Sequence, residues 1–221
     1  MIKPFSILAN FIKETFYPSR CPYCGTILNK KDYACDKCKK LIPKRGVSHG
    51  VTGGYRCTSA LPYDGIFKKT LINFKFNSKP QYADQLAFLM YNQIKVAYPD
   101  MIFDYITFVP MHKKDEFERG YNQSELLAKC LSEHMKTPCV NTLEKIRHTE
   151  HQHDVEPKKR KTNLKGAFKV CDKDKVKDKH ILLVDDVVTT RSTLGECAKT
   201  LSKAKPAQIC CVTLLTTADL F

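Results

Sequence analysis

The chain has 221 residues, enough for one sizeable α/β domain with a small appendage, and its 43% hydrophobic content excludes a wholly disordered polymer. A formal net charge of +14 predicts attraction to polyanions: nucleic acid, an acidic membrane surface or a phosphate-rich small molecule. Eleven cysteines, an odd number with no cleavable signal ahead of them, argue against a secreted disulfide scaffold and for a reducing cytoplasm.

Residues 1–17 set Phe5, Leu8, Phe11, Ile12 and Phe16 among Lys3, Lys13 and Glu14, which predicts an amphipathic helix too short and too charged to span a bilayer. Such a helix suits packing against the protein itself or peripheral contact with the inner face of a membrane or with a partner. Cys21-Pro-Tyr-Cys24 and Cys35-Asp-Lys-Cys38 follow, a C-x2-C-x10-C-x2-C spacing. Two such knuckles can give four thiolates to one tetrahedral Zn²⁺, and a closed ligand set leaves no position for reactive water. The expectation is a structural zinc finger over 18–50. The other seven cysteines, Cys57, Cys130, Cys139, Cys171, Cys197, Cys210 and Cys211, sit mostly in apolar surroundings, where the residue behaves as a small hydrophobe.

A main domain over 51–221 is expected to alternate strand and helix. Tyr55 to Tyr63 reads as a strand, with helices near 65–75 and 81–97, and the first of these carries Phe74, Lys75 and Phe76. Asp104 to Pro110 reads as a short buried strand, Asn122 to Met135 as a helix with Leu126, Leu127, Cys130 and Leu131 inward, and Leu143 to Arg147 as another strand. Residues 148–166 are polar and without period, with a Lys158-Lys159-Arg160-Lys161 cluster, and predict a loop that suits closure over a phosphate ligand or a nucleic-acid backbone. Strands at 167–170, 181–184 and 208–215 and a helix at 193–204 complete the order, which argues for a parallel sheet flanked by helices.

The string Ile181-Leu-Leu-Val-Asp-Asp-Val-Val-Thr-Thr-Arg-Ser-Thr-Leu194 carries most of the chemistry. Ionised Asp185 and Asp186 accept hydrogen bonds, and vicinal ribose hydroxyls can donate them. Thr189, Thr190, Arg191, Ser192 and Thr193 form a phosphate-sized loop opening a helix, where unpaired amides and the helix dipole favour an anion. In a parallel sheet the link after Pro110 lies at the same edge, so His112, Lys113, Lys114 and Arg119 can face the same ligand, with Met111, His112, Lys113 and Arg119 the candidates to answer a pyrophosphate.

This string resembles the PRPP-binding signature of type I phosphoribosyltransferases, except that Arg191 stands where that family usually has Gly. Forcing a non-Gly residue to positive φ would cost ~1 to 2 kcal/mol. Over nearly the whole chain, the cysteine finger, the Lys-Phe motif near Lys75, Val-Pro followed by Arg119-Gly-Tyr-Asn-Gln-Ser, Lys165-Gly-Ala-Phe and Val-Asp-Asp together resemble the ComF family. That resemblance implies a type I phosphoribosyltransferase-like domain that binds PRPP with Mg²⁺, behind a small N-terminal zinc finger. Asp185 and Asp186 are implied on the ribose, residues 189–193 on the 5-phosphate, and 111–113 with Arg119 toward pyrophosphate. It also implies a cytoplasmic role in natural competence, with single-stranded DNA and the DNA-uptake machinery as partners. Two classes stay open: an enzyme transferring a pentosyl group to an unknown acceptor, with Asp185, Asp186 and Arg119 catalytic, or a non-catalytic PRPP-sensing, nucleic-acid-binding accessory.

Overall fold

A computed structural model describes residues 18–29, 32–76, 79–148 and 164–217. The helix expected over 1–17, and residues 149–163 of the expected basic loop, lie outside the described residues. The first helix, α1 (Asp36–Lys39), carries Cys38, and Cys35 stands at its N-cap. The main sheet comprises β1 (Val47–Gly50), β2 (Arg56–Pro62), β3 (Tyr105–Phe108), β6 (His180–Val188) and β7 (Gln208–Thr216), in the order β1-β2-β7-β6-β3. Only β1, at the edge, is antiparallel to its neighbour; β2, β7, β6 and β3 run parallel. Helices α2 (Gly65–Phe76), α3 (Ala83–Ala97) and α5 (Gln123–Met135) cover one face and α6 (Ser192–Ser202) the other, and α4 is Lys113–Arg119. Strands β4 (Leu143–Lys145) and β5 (Phe168–Val170) form a separate antiparallel pair.

The pleat explains why the central strands read as unbroken apolar runs. Leu182 and Val184 enter the core beneath α2, α3 and α5, while Ile181 and Leu183 enter the core beneath α6. Cys210 with Val212, and Ile209 with Cys211, divide the same way on β7. A strand buried on both faces has no polar side to spare, the pattern of parallel sheets. The buried thiols are therefore packing residues, and burial pushes Cys197 and Cys211 far above the usual thiol range.

Three boundaries differ from those the sequence predicts. Strand β6 does not stop at Val184; it continues through both acids to Val188, because β7 runs alongside it to Thr216 and extends the ladder. The link after Pro110 contains a seven-residue helix, α4, capped by His112, whose Nδ1 accepts from the Lys114 amide at 3.3 Å. Residues 47–50, expected at the end of the finger, instead form the edge strand of the main sheet against β2, and Gly46 beside them lies so close to the Ser59 carbonyl that a Cβ would sit 2.0 Å from it.

The connections position the ligand edge. From β6 the chain crosses by α6 to β7 on one face, while α5 follows β3 on the other, so the N-termini of α5 and α6 flank the carboxyl end of β6. Such a divergence of connections opens a crevice at the carboxyl edge of a parallel sheet.

Candidate functional site

That edge holds a cleft of 650 Å³, within the usual range for small-ligand sites. Of the predicted site residues, Met111, Arg119, Asp185, Asp186, Thr189 and Thr193 line it. His112 and Lys113 do not; His112 caps α4 and packs edge-on to His148, and Lys113 is exposed. Thr190, Arg191 and Ser192 form the turn that carries the chain from β6 into α6.

Both acids are buried, at 8% and 7% exposure, and each has a partner. Asp185 Oδ1 accepts from the Ser124 hydroxyl at 2.8 Å and from the Asp186 amide at 2.9 Å. Asp186 Oδ2 forms an ion pair with Lys75 Nζ at 2.8 Å. Burial first, and then the charge of Asp186, push Asp185 up to about 7, while Ser124 and Lys75 pull the other way. These contacts leave the cleft open in front of the pair, since both acids still line it.

The segment Arg119-Gly-Tyr-Asn-Gln-Ser124 assembles this arrangement residue by residue. Gly120, at φ 83°, closes α4 in the left-handed conformation that glycine adopts without a Cβ penalty. The Tyr121 hydroxyl donates to the Phe74 carbonyl, and Gln123 Nε2 donates to the Lys75 carbonyl at 3.5 Å, so the end of α2 is tied to the start of α5. Asn122 caps α5 by accepting from the Ser124 amide at 3.0 Å and donates to the Val109 carbonyl at 3.1 Å, joining the helix to the end of β3. A cap of this kind contributes ~1 kcal/mol. Arg119 lies over the Phe76 ring, 5.0 Å from its centroid, with Nη1 3.4 Å from Gln123 Oε1.

The loop 189–193 takes the conformation its usual glycine would provide. Arg191 sits at φ 60°, ψ 2° as the N-cap of α6, and its carbonyl accepts from the Gly195 amide at 3.1 Å. The strain is therefore present and tolerated. Gly195 is required for a different reason: a Cβ there would lie 2.5 Å from both Cβ and the carbonyl oxygen of Thr52.

Sequence reasoning missed a second charged group on the cleft wall. Buried Asp115, in the first turn of α4, lies 3.0 Å from His148 Nε2 and 3.9 Å from Lys145 Nζ. Lys145 is held below the usual lysine range by burial, with the Asp115 charge opposing. No local pattern links residues 115 and 145, and tertiary folding alone brings them together. Ser124 and Lys75 had visible signals, because both fall inside motifs noted in the sequence.

At the other end of the molecule the Sγ atoms of Cys21, Cys24, Cys35 and Cys38 all lie within 4.8 Å of one another. Tetrahedral ligands at a Zn–S distance of about 2.3 Å would stand ~3.8 Å apart, so this set fits one metal ion. Cys24 is drawn down to about 6 chiefly by the Thr26 hydroxyl and amide, whereas burial raises Cys21 and Cys38. The cluster docks on the main domain through Tyr23 against Phe67, Tyr33 against Phe88, and the Thr70 hydroxyl 3.1 Å from the Pro22 carbonyl.

A family model described as a phosphoribosyl transferase domain matches residues 122–219, which contain Ser124, both acids and the loop. Competence protein F of Haemophilus influenzae is 31% identical over 216 residues, covering 85% of this chain and 93% of that protein. The chain belongs to the ComF family. Another ComF relative, DNA utilization protein YhgH of Salmonella typhi, is 30% identical over 213 residues, 94% of this chain and 88% of its own. Among solved structures, an adenine phosphoribosyltransferase aligns over 82% of this chain and 90% of its own at 12% identity and a TM-score of 0.45, too loose a likeness to carry weight. No described helix is long and apolar enough to cross a membrane.

Proposed function

We propose that this ComF protein binds PRPP with Mg²⁺ in the cleft at the end of β6, and that it handles single-stranded DNA during competence-linked DNA uptake. The observation that carries the first part is the convergence of the buried Asp185–Asp186 pair with the N-terminal loop of α6 on one cleft. Asp185 and Asp186 accept the ribose hydroxyls, and residues 189–193 surround the 5-phosphate with amides and hydroxyls. Arg119 faces the pyrophosphate end, with Met111 on the same cleft wall. Carboxylate and hydroxyl oxygens suit a hard cation, and Mg²⁺ entering with the ligand would offset charge on a departing pyrophosphate. In the enzymatic reading a pentosyl group passes to an acceptor whose chemistry the cleft does not define. The relatives' names support the DNA role, and the net charge of +14 supplies the attraction to a polyanion. The four-cysteine cluster holds Zn²⁺ as a structural element.

At saturating PRPP and Mg²⁺, about 100 times Kd, mass action stabilises the wild type by about 2.7 kcal/mol. For a chain of this size that raises Tm by roughly 5 to 10 °C. The Asp185→Asn, Asp186→Asn double variant should lose this rise, and an equal rise in the variant would overturn the ribose assignment.

A further inference from the structure

Two adjacent carboxylates that are both nine-tenths buried must be neutralised or one of them must take up a proton. In this protein a cation for one of the two acids is built in. Lys75 comes from α2, a different element from the strand that carries the acids, and reaches Asp186 at 2.8 Å with its side chain only 18% exposed. Its backbone is held in place by the Arg119–Ser124 segment through the Gln123 side chain, and the neighbouring Phe74 carbonyl by Tyr121. Lys75 and Asp186 both line the cleft, so the ammonium and the acid it meets are within reach of anything entering there.

We propose that Lys75 is an internal counter-ion that occupies the place of a divalent cation at the acidic pair in the free protein, making cation binding conditional on the sugar phosphate. An ammonium in contact with Asp186 repels a free divalent cation and already supplies one of the two charges that cation would bring. A ligand carrying both hydroxyls and phosphates removes the conflict. Its hydroxyls take up the carboxylates, its anionic groups draw the flexible lysine away, and the cation enters with it. The inference rests on the PRPP reading for the identity of the displacing ligand, but the exclusion of free cation can be read without any sugar phosphate.

The test is titration of the zinc-loaded full chain with Mn²⁺, followed by the electron paramagnetic resonance of the free ion. Wild type should bind Mn²⁺ at least tenfold more weakly than Lys75→Met, Lys75→Arg should behave as wild type, and Lys75→Met with Asp186→Asn should lose the gained affinity. Equal affinities in wild type and Lys75→Met would overturn the proposal. A second measurement needs no variant: PRPP added to wild type should raise Mn²⁺ affinity at the protein at least tenfold, and unconditional tight binding of free Mn²⁺ would also overturn the counter-ion role. If Lys75→Met gains Mn²⁺ affinity while PRPP has no effect on wild type, the counter-ion stands and the PRPP reading alone fails.

Discussion

In the finger, four thiols that converge within 4.8 Å come from one stretch of 18 residues, and the members of each pair are three positions apart. In the cleft, Asp185 and Asp186 are adjacent on β6, but the groups that answer them arrive from α2 and α5, 111 and 61 positions away in the chain. Both sites gather potential anions. The finger offers four converging thiols to a single metal ion, whereas the cleft carries Lys75, which balances one of its two carboxylates. A local site can thus fail on its own, while a dispersed one fails only with the fold that assembles it.

The largest expected effect follows from that difference. Metal analysis should return one zinc per chain, and Cys38→Ser should lose it, because three thiolates leave an open position that no other ligand group among the described residues joins. Metal binding of this kind is folding free energy, of order 10 kcal/mol in isolated fingers. Hydrogen exchange should then show protection lost over 18–42 and weakened in α2, where Tyr23 and Pro22 dock on Phe67 and Thr70, with β6 and β7 still protected. A metal-free protein with a fully protected finger would break the comparison.

The two sites were also unequally legible in the sequence. The finger is written in its spacing, and the strand–acid–loop string of β6 is nearly as plain because burial on both faces forces four apolar residues in a row. Helices α2, α3, α5 and α6 were read to within about two residues from their apolar period. What escaped was whatever depends on a second element. The length of β6 is set by β7, which pairs with it as far as Val188. Helix α4 has Phe117 90% exposed, so its seven residues show no buried stripe to read. Asp115 looked like one acid among several in a charged link until folding placed Lys145 and His148 beside it.

The next effect sharpens the cleft's half of the comparison. Asp185 is raised from 3.8 to about 7 by burial and by Asp186, so between those values the folded protein holds a proton that the unfolded chain has released. The sign is that of a raised pKa: the associated stabilisation is complete below 3.8 and is lost as pH rises through 7. A shift of roughly 3 units corresponds to at most about 4 kcal/mol over that window. Urea unfolding at pH 5, 6, 7 and 8 should show wild type weakening relative to Asp185→Asn, whose side chain does not titrate. Parallel profiles for the two proteins would mean that Asp185 is ionised throughout. PRPP affinity should move oppositely, strengthening from pH 6 to 8 as the acceptor carboxylate forms.

The smallest effect concerns the one residue at which the loop departs from glycine. Arg191 holds φ 60° at a cost of ~1 to 2 kcal/mol, and Arg191→Gly removes that cost while adding ~0.5 to 1 kcal/mol of unfolded-state freedom. The net gain lies between zero and about 1.5 kcal/mol, a Tm rise of at most roughly 3 to 6 °C. His49 supplies an internal check, because burial first and then the Arg191 charge hold it below the usual histidine range. In the variant its titration, followed by NMR, should move upward. Ligand binding then decides what the strain is for. If PRPP binds Arg191→Gly as tightly as wild type, amides and hydroxyls hold the phosphate and the arginine is tolerated. If affinity falls tenfold or more while stability rises, the guanidinium reaches the anion, and the loop trades conformational ease for a charge that glycine cannot supply.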